Sequence, residues 1–295
     1  MTISSASTHP KSTVHAPILN LSPEKQNKWF AGKQSNWRRF WLRLGYTEPP
    51  DMTGKRLLDV GSGLGGNTAA AARAGAHVVA LEPDAEVQQI ATSLIKNDLG
   101  AFSSNVEFVT GSIENYRDSV GFDYILCDEV FEHLLDFSSA LDAMYRLLRP
   151  NGRVVSGWGP LWHSPVGGHQ FMLYMVPTGP FGLSRKLTLK SMSTGQTRRR
   201  LLPYSHRMFT GRALRLNNES TQGTEITTIQ QAGMNGYDTQ QFKEMIEKSP
   251  LNIVEWRENQ GEHAAYKILR GLSRFPGCKN LFTSNIYAVL VKSTS

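Results

Sequence analysis

The sequence predicts an α/β fold: a mostly parallel, seven-stranded sheet doubly wound by helices, with a helical segment before it and an insertion after strand five. Three observations predict this. Short apolar runs alternate with helical stretches from Arg56 onward, the rhythm of a parallel sheet with helices on both faces. A glycine-rich turn, Gly61-Ser62-Gly63-Leu64-Gly65-Gly66, follows the first apolar run. The rhythm breaks at Trp158 and resumes at Thr239, a gap too long for a plain loop in a compact domain.

In order, residues 1–21 are rich in Ser and Thr and read as a mobile tail. Residues 22–50 read as a helical lid. Trp29, Phe30, Trp37, Phe40, Trp41 and Leu44 recur at helical spacing, with Lys28, Lys33, Arg38, Arg39 and Arg43 between them. Residues 51–157 form the core. Its strands are expected at Arg56–Val60, His77–Leu81, Val106–Thr110, Phe122–Cys127 and Arg153–Gly157. Helices are expected at Thr68–Ala74, at Glu86–Asn97, from about Val130, and at Phe137–Leu148, the last closed by a turn at Arg149-Pro150-Asn151-Gly152. Residues 158–238 are an inserted acceptor-binding region. Residues 239–295 close the core with helices at Thr239–Lys248 and Ala264–Arg274 and strands at Leu251–Arg257 and Asn285–Lys292.

Composition excludes several classes. Hydrophobic residues make up 40% and charged residues 19% of 295, an ordinary globular balance. No apolar run approaches the roughly 18 residues that span a bilayer, and no apolar segment follows a basic start, so neither a membrane partner nor a signal peptide is expected. Cys127 and Cys278 are the only cysteines and lie outside any Cys-x-x-Cys; this excludes a disulfide scaffold and fits a reducing, cytoplasmic setting. The net charge of +7 is local: from Ala143 to Asn218 there are 12 bases and no acid, whereas the rest of the chain is acidic in balance.

The glycine turn follows Leu57-Leu58-Asp59-Val60 and leads into a helix. Glycines permit a tight turn and close approach of a ligand to the backbone. Alone, such a turn also suits a dinucleotide. Asp59 beside it would repel a pyrophosphate and favour a cationic amino-acid end. Glu82 ends the second strand, where a carboxylate can take both hydroxyls of a ribose; Gly111-Ser112-Ile113 end the third strand and Asp128-Glu129 the fourth. In the order and spacing of these four motifs the chain resembles the class I S-adenosylmethionine-dependent methyltransferases, over residues 50–157 by motif and 239–292 by rhythm. The resemblance implies a Rossmann-like fold. It implies that Asp59, Gly61, Ser62 and Gly63 hold the methionine part of S-adenosylmethionine, and that Glu82 with Pro83 holds the ribose. Ser112 and Ile113 would flank the adenine, and Asp128 and Glu129 would lie beside the cofactor. Ser112 stands where the family often has Asp, which weakens one adenine contact.

Methyl transfer to a hydroxyl requires an aligned acceptor and a group that removes its proton. Two stretches at the ends of strands four and five qualify. Glu129, Glu132 and His133 are spaced to share one face of a helix. That pattern resembles the divalent-metal ligands of ubiquinone-pathway O-methyltransferases and of small-RNA 2′-O-methyltransferases; it also resembles a signature of metal-free members, in which the pair lines the pocket. The second stretch runs from Trp158 to His169. His133 and His169 are the candidate bases, with His163 as runner-up, and the metal-free reading is preferred over a divalent ion. The expected activity is methylation of a small-molecule hydroxyl, on an anionic metabolite or glycan given the basic segment. An RNA 2′-O-methyltransferase is the alternative, although no RNA-binding module is recognisable. A non-catalytic S-adenosylmethionine-binding partner protein is the third reading.

Overall fold

The computed structural model describes residues 16–161, 234–262, 264–275 and 279–292. A short helix α1 (Ala16–Leu19) precedes α2 (Pro23–Ser35) and α3 (Trp37–Arg43). The core then runs β1 (Arg56–Val60), α4 (Gly66–Arg73), β2 (His77–Glu82), α5 (Ala85–Leu99), β3 (Val106–Thr110), β4 (Phe122–Asp128), α6 (Phe137–Leu147) and β5 (Leu148–Trp158). After the undescribed stretch come α7 (Thr239–Lys248), β6 (Leu251–Glu258), α8 (Ala264–Leu272), α9 (Lys279–Phe282) and β7 (Ile286–Lys292). The seven strands form one sheet in the order β3-β2-β1-β4-β5-β7-β6. All neighbours are parallel except β5–β7 and β6–β7, which are antiparallel.

This arrangement is the doubly wound sheet expected, with helices on both faces. On one face Phe30, Trp37, Phe40, Trp41 and Leu44 pack with the alanines of α4 and with Leu57, Val78, Leu126, Val155 and Tyr287. Trp41 is fully buried, with Trp37, Phe40, Tyr46 and Tyr124 around it in edge-to-face contacts. Trp29 of the same aromatic series is 42% exposed and does not join this core. On the other face α6 and α7 bury Phe137, Leu141, Met144, Phe242 and Ile246 against Ile125, Val154 and Leu290.

Helix starts follow from local chemistry. Asp84 caps α5 by accepting from the Glu86 and Val87 amides, and Asp238 and Gln241 form a reciprocal capping box on α7. Two expectations need correction. Arg149–Gly152 does not end the element as a turn: these residues bulge within β5, which pairs Leu148 with Phe122 and Arg153 with Tyr124. Asn151 takes φ 62° there, and the Arg149 guanidinium anchors the bulge on Asp123 at 2.8 Å. Nor does a helix begin at Val130. Glu129 has φ 62°, Phe131–His133 make a single 3₁₀ turn, and α6 starts only after Asp136 caps it.

Candidate functional site

The site lies where β1, β2 and β4 end. Each strand delivers a carboxylate there because parallel strands all finish at one edge of the sheet, the usual ligand edge of open α/β folds. Asp59 and Glu82 are buried at 2% and 0% exposure. The turn between β1 and α4 is built from left-handed glycines: Gly61, Gly63 and Gly65 have φ of 64°, 54° and 82°, a region other residues enter only at a cost. The amides of Gly61 and Ser62 both donate to the Leu81 carbonyl, which ties the turn to the end of β2. A Cβ built on Gly63 would meet only the Gly61 carbonyl oxygen, at 4.0 Å, so this residue lines open space.

Glu82 locks the turn. One carboxylate oxygen accepts from the Gly63 amide at 2.9 Å and the other from the Asp84 amide at 3.0 Å. Asp59 accepts from the Thr68 hydroxyl at 2.6 Å. Burial pushes the Asp59 carboxyl up to about 7; the Thr68 hydrogen bond and Lys33 oppose this, while Asp128 and Glu82 add to it. Cys127, at the end of β4, is wholly buried, and burial holds its thiol well above the usual range.

Lys33 is the site residue that sequence reasoning missed. It descends from α2, and its Nζ lies 2.7 Å from Asp128 Oδ2 and 2.9 Å from Glu129 Oε2. Burial pulls the ammonium pKa down, but Asp128 and Glu129 together outweigh this and hold it above its ordinary value. Asn67, in the first turn of α4, donates to the same Asp128 oxygen at 3.0 Å. Gly66 lets α2 come this close: a Cβ there would stand 2.5 Å from Lys33 Cβ and 2.6 Å from the Phe30 carbonyl oxygen. A basic residue in an aromatic helix was the only sequence signal for Lys33, and nothing local tied it to residues about 95 positions away.

The other expected residues sort as follows. Pro83 is exposed beside Glu82, while Ser112 is part-buried and Ile113 buried after β3. Asp128 and Glu129 sit at the end of β4 as expected, but Glu129, Glu132 and His133 do not share a helix face. The positive φ of Glu129 turns its carboxylate to Lys33. Glu132 is buried and accepts from the Gly159 amide at 3.1 Å, fastening the exit of β5. Among the described residues no group of three or more His, Cys, Asp or Glu is placed to hold a metal ion. Glu129 is engaged by Lys33 and Glu132 by the Gly159 amide, so these two carboxylates face different partners. His133 is part-buried in the 3₁₀ turn; His163 and His169 lie outside the described residues. Tyr287 projects from β7 across Gly157, where a Cβ would fall 2.4 Å from its ring. Its hydroxyl accepts from Arg43 at 3.0 Å.

A family model described as a methyltransferase domain matches residues 58–156, the stretch from β1 to β5 that carries this site. Over this stretch the chain is similar to methyltransferase domains. Relatives agree with this methyltransferase core. A ubiquinone biosynthesis O-methyltransferase of Pectobacterium atrosepticum is 32% identical over 49% of this chain and 61% of its own length. One from Klebsiella pneumoniae is 34% identical over 47% of this chain and 59% of its own length. The chain thus spans less than two thirds of the length of these relatives. Among solved structures, phosphoethanolamine N-methyltransferase 2 of Haemonchus contortus in complex with S-adenosyl-L-methionine superposes with a TM-score of 0.53 at 16% identity, covering 92% of this chain and 56% of that one. At this identity the likeness speaks for the fold alone, and activity has to be argued from the site.

Proposed function

We propose that the protein is an S-adenosylmethionine-dependent methyltransferase acting on a hydroxyl of a small molecule. The observation that carries the reading is Glu82: a fully buried carboxylate at the end of β2, bonded to the Gly63 amide of a turn with open space above it. The donor set fits the cofactor. Glu82 can accept from ribose hydroxyls, while Asp59 and Asp128 supply negative charge for an ammonium or sulfonium. The Glu82 carboxylate at the turn disfavours a pyrophosphate there. S-adenosylmethionine, when bound, supplies an electrophilic methyl group. The chain holds it at the turn, excludes water beneath α2, and presents His133 as acceptor of the hydroxyl proton; His169 is the second proposed base. The O-methyltransferase relatives support a hydroxyl acceptor. The 12 bases between Ala143 and Asn218 support an anionic one. The same bases favour RNA as the second reading; salt-sensitive, sequence-selective RNA binding would replace the small-molecule acceptor.

Calorimetry tests the cofactor. S-adenosylhomocysteine should bind, NAD should bind far more weakly, and Glu82→Ala should weaken S-adenosylhomocysteine by about 1.5–3 kcal/mol, the range for a hydrogen bond to a charged group. NAD binding the tighter of the two would overturn the proposal.

A further inference from the structure

Both ends of the β6–β7 connection lie at the edge of the sheet that carries the site. β1, β4 and β5 are parallel, so Asp59, Asp128 and Trp158 finish together. β7 runs antiparallel to β5 with Ile286 opposite Trp158, and β6 runs antiparallel to β7 with Glu258 opposite Ile286. The connection, which contains α8, therefore leaves from and returns to that edge. Glu262, just before α8, pairs with Arg39 of the lid helix α3 at 3.1 Å.

Helix α8 is amphipathic; Leu269 and Leu272 are part-buried, while Ile268 is exposed. Among the described residues, neither Ile268, Leu269 and Leu272 nor the following Phe275 belongs to either buried cluster or to the residues packed against them. Ile268 and Phe275 are each 62% exposed. Ile268 lies on α8 and Phe275 on the turn that follows its last residue, Leu272, where the Phe275 amide donates to the Leu272 carbonyl. Lys267 and Arg274 are exposed beside them. No Asp or Glu follows Glu262 in the sequence.

We infer that this face docks the protein on an anionic membrane surface. Ile268 and Phe275 enter the headgroup boundary, and Lys267 and Arg274 meet lipid phosphates, as a basic amphipathic helix does. Charge complementarity selects this occupant: a second copy of the chain would bring the same cations to the face. No described helix is long and apolar enough to cross a membrane, so the proposed contact is peripheral. Resting on the methyl-transfer reading, this contact turns the site's edge towards the bilayer and makes an amphiphilic hydroxyl compound the acceptor class.

The test is co-sedimentation of the full chain with vesicles of phosphatidylcholine, with and without phosphatidylglycerol. The wild type should bind only the phosphatidylglycerol vesicles and release in high salt. Ile268→Glu with Phe275→Glu, and separately Lys267→Glu with Arg274→Glu, should weaken vesicle binding by roughly tenfold or more while leaving S-adenosylhomocysteine affinity at the wild-type value. A wild type that ignores phosphatidylglycerol vesicles, or variants that bind them equally well, would overturn the proposal, including the case in which another part of the chain covers this face. Vesicle binding by a protein with no affinity for S-adenosylhomocysteine would uphold the docking surface and refute the cofactor reading instead.

Discussion

Asp59 is a carboxyl held near neutrality by its surroundings, and this gives the site a pH signature. Its ordinary value is 3.8 and its value in the fold about 7. A group raised in this way contributes stability that is present below about pH 4 and lost as pH climbs through 7. The ligand-free protein should therefore weaken over that window, and Asp59→Asn should be the more stable protein at pH 8, by up to about 4 kcal/mol. Cofactor binding should run the other way. A cationic ligand prefers the ionised carboxyl, so affinity should rise with pH through about 7 in the wild type and stay flat in Asp59→Asn. Lys33 depresses the Asp59 value, so Lys33→Met should move the midpoint upward. Calorimetry across pH 6–9 checks both; a pH-independent wild type would exclude titration of Asp59 in this range. His133 carries the other prediction at this scale. If it accepts the hydroxyl proton, His133→Ala should lower turnover by roughly 10²–10⁴ with S-adenosylhomocysteine affinity unchanged; retained turnover would remove it from the chemistry.

At the scale of elements, the close packing of α2 on α4 depends on Gly66. A side chain there must displace Lys33 or the Phe30 carbonyl. Gly66→Val should lift α2, raise hydrogen exchange at the α2 amides and weaken cofactor binding, while the β4 and β5 amides stay protected; unchanged exchange in α2 would show that the lid does not rest on this contact. Strands and most helices were legible in the sequence because apolar runs and their alternation with helical stretches are local signals. Leu57–Val60 and Val78–Leu81 are nearly continuous apolar runs because both faces of their strands are covered. The segment Glu129–His133 misled because Glu-x-x-Glu-His has helical spacing, whereas its conformation is set by tertiary contacts: the Glu129 amide donates to Gly157 of the neighbouring strand, and Glu132 reaches Gly159. The cofactor turn was legible for the opposite reason. Its glycines and the two acids at strand ends are all fixed by strand geometry. Lys33 was not legible as a site residue, because its partners lie on another element and no periodicity encodes a long-range ion pair.

At the scale of the whole molecule, β7 matters most. It fills the gap between β5 and β6 and holds Val289, Leu290 and Tyr287 against both core faces. A chain stopped before Ile286 would leave β5 and β6 each with an uncovered edge, the feature that templates aggregation. Such a truncated protein should be recovered as aggregates by light scattering, and a soluble, S-adenosylhomocysteine-binding product would show that β7 is dispensable.

The place of β7 also has a consequence for biogenesis. It is the last of the described strands in chain order, yet it sits beside β5, which is finished at Trp158. Everything from Gly159 to Asn285 must leave the ribosome first. At about 5–20 residues per second, on the order of ten seconds separate the synthesis of β5 from that of the strand that pairs with it. The same topology that places Tyr287 beside Gly157 thus makes completion of the sheet a late event in translation.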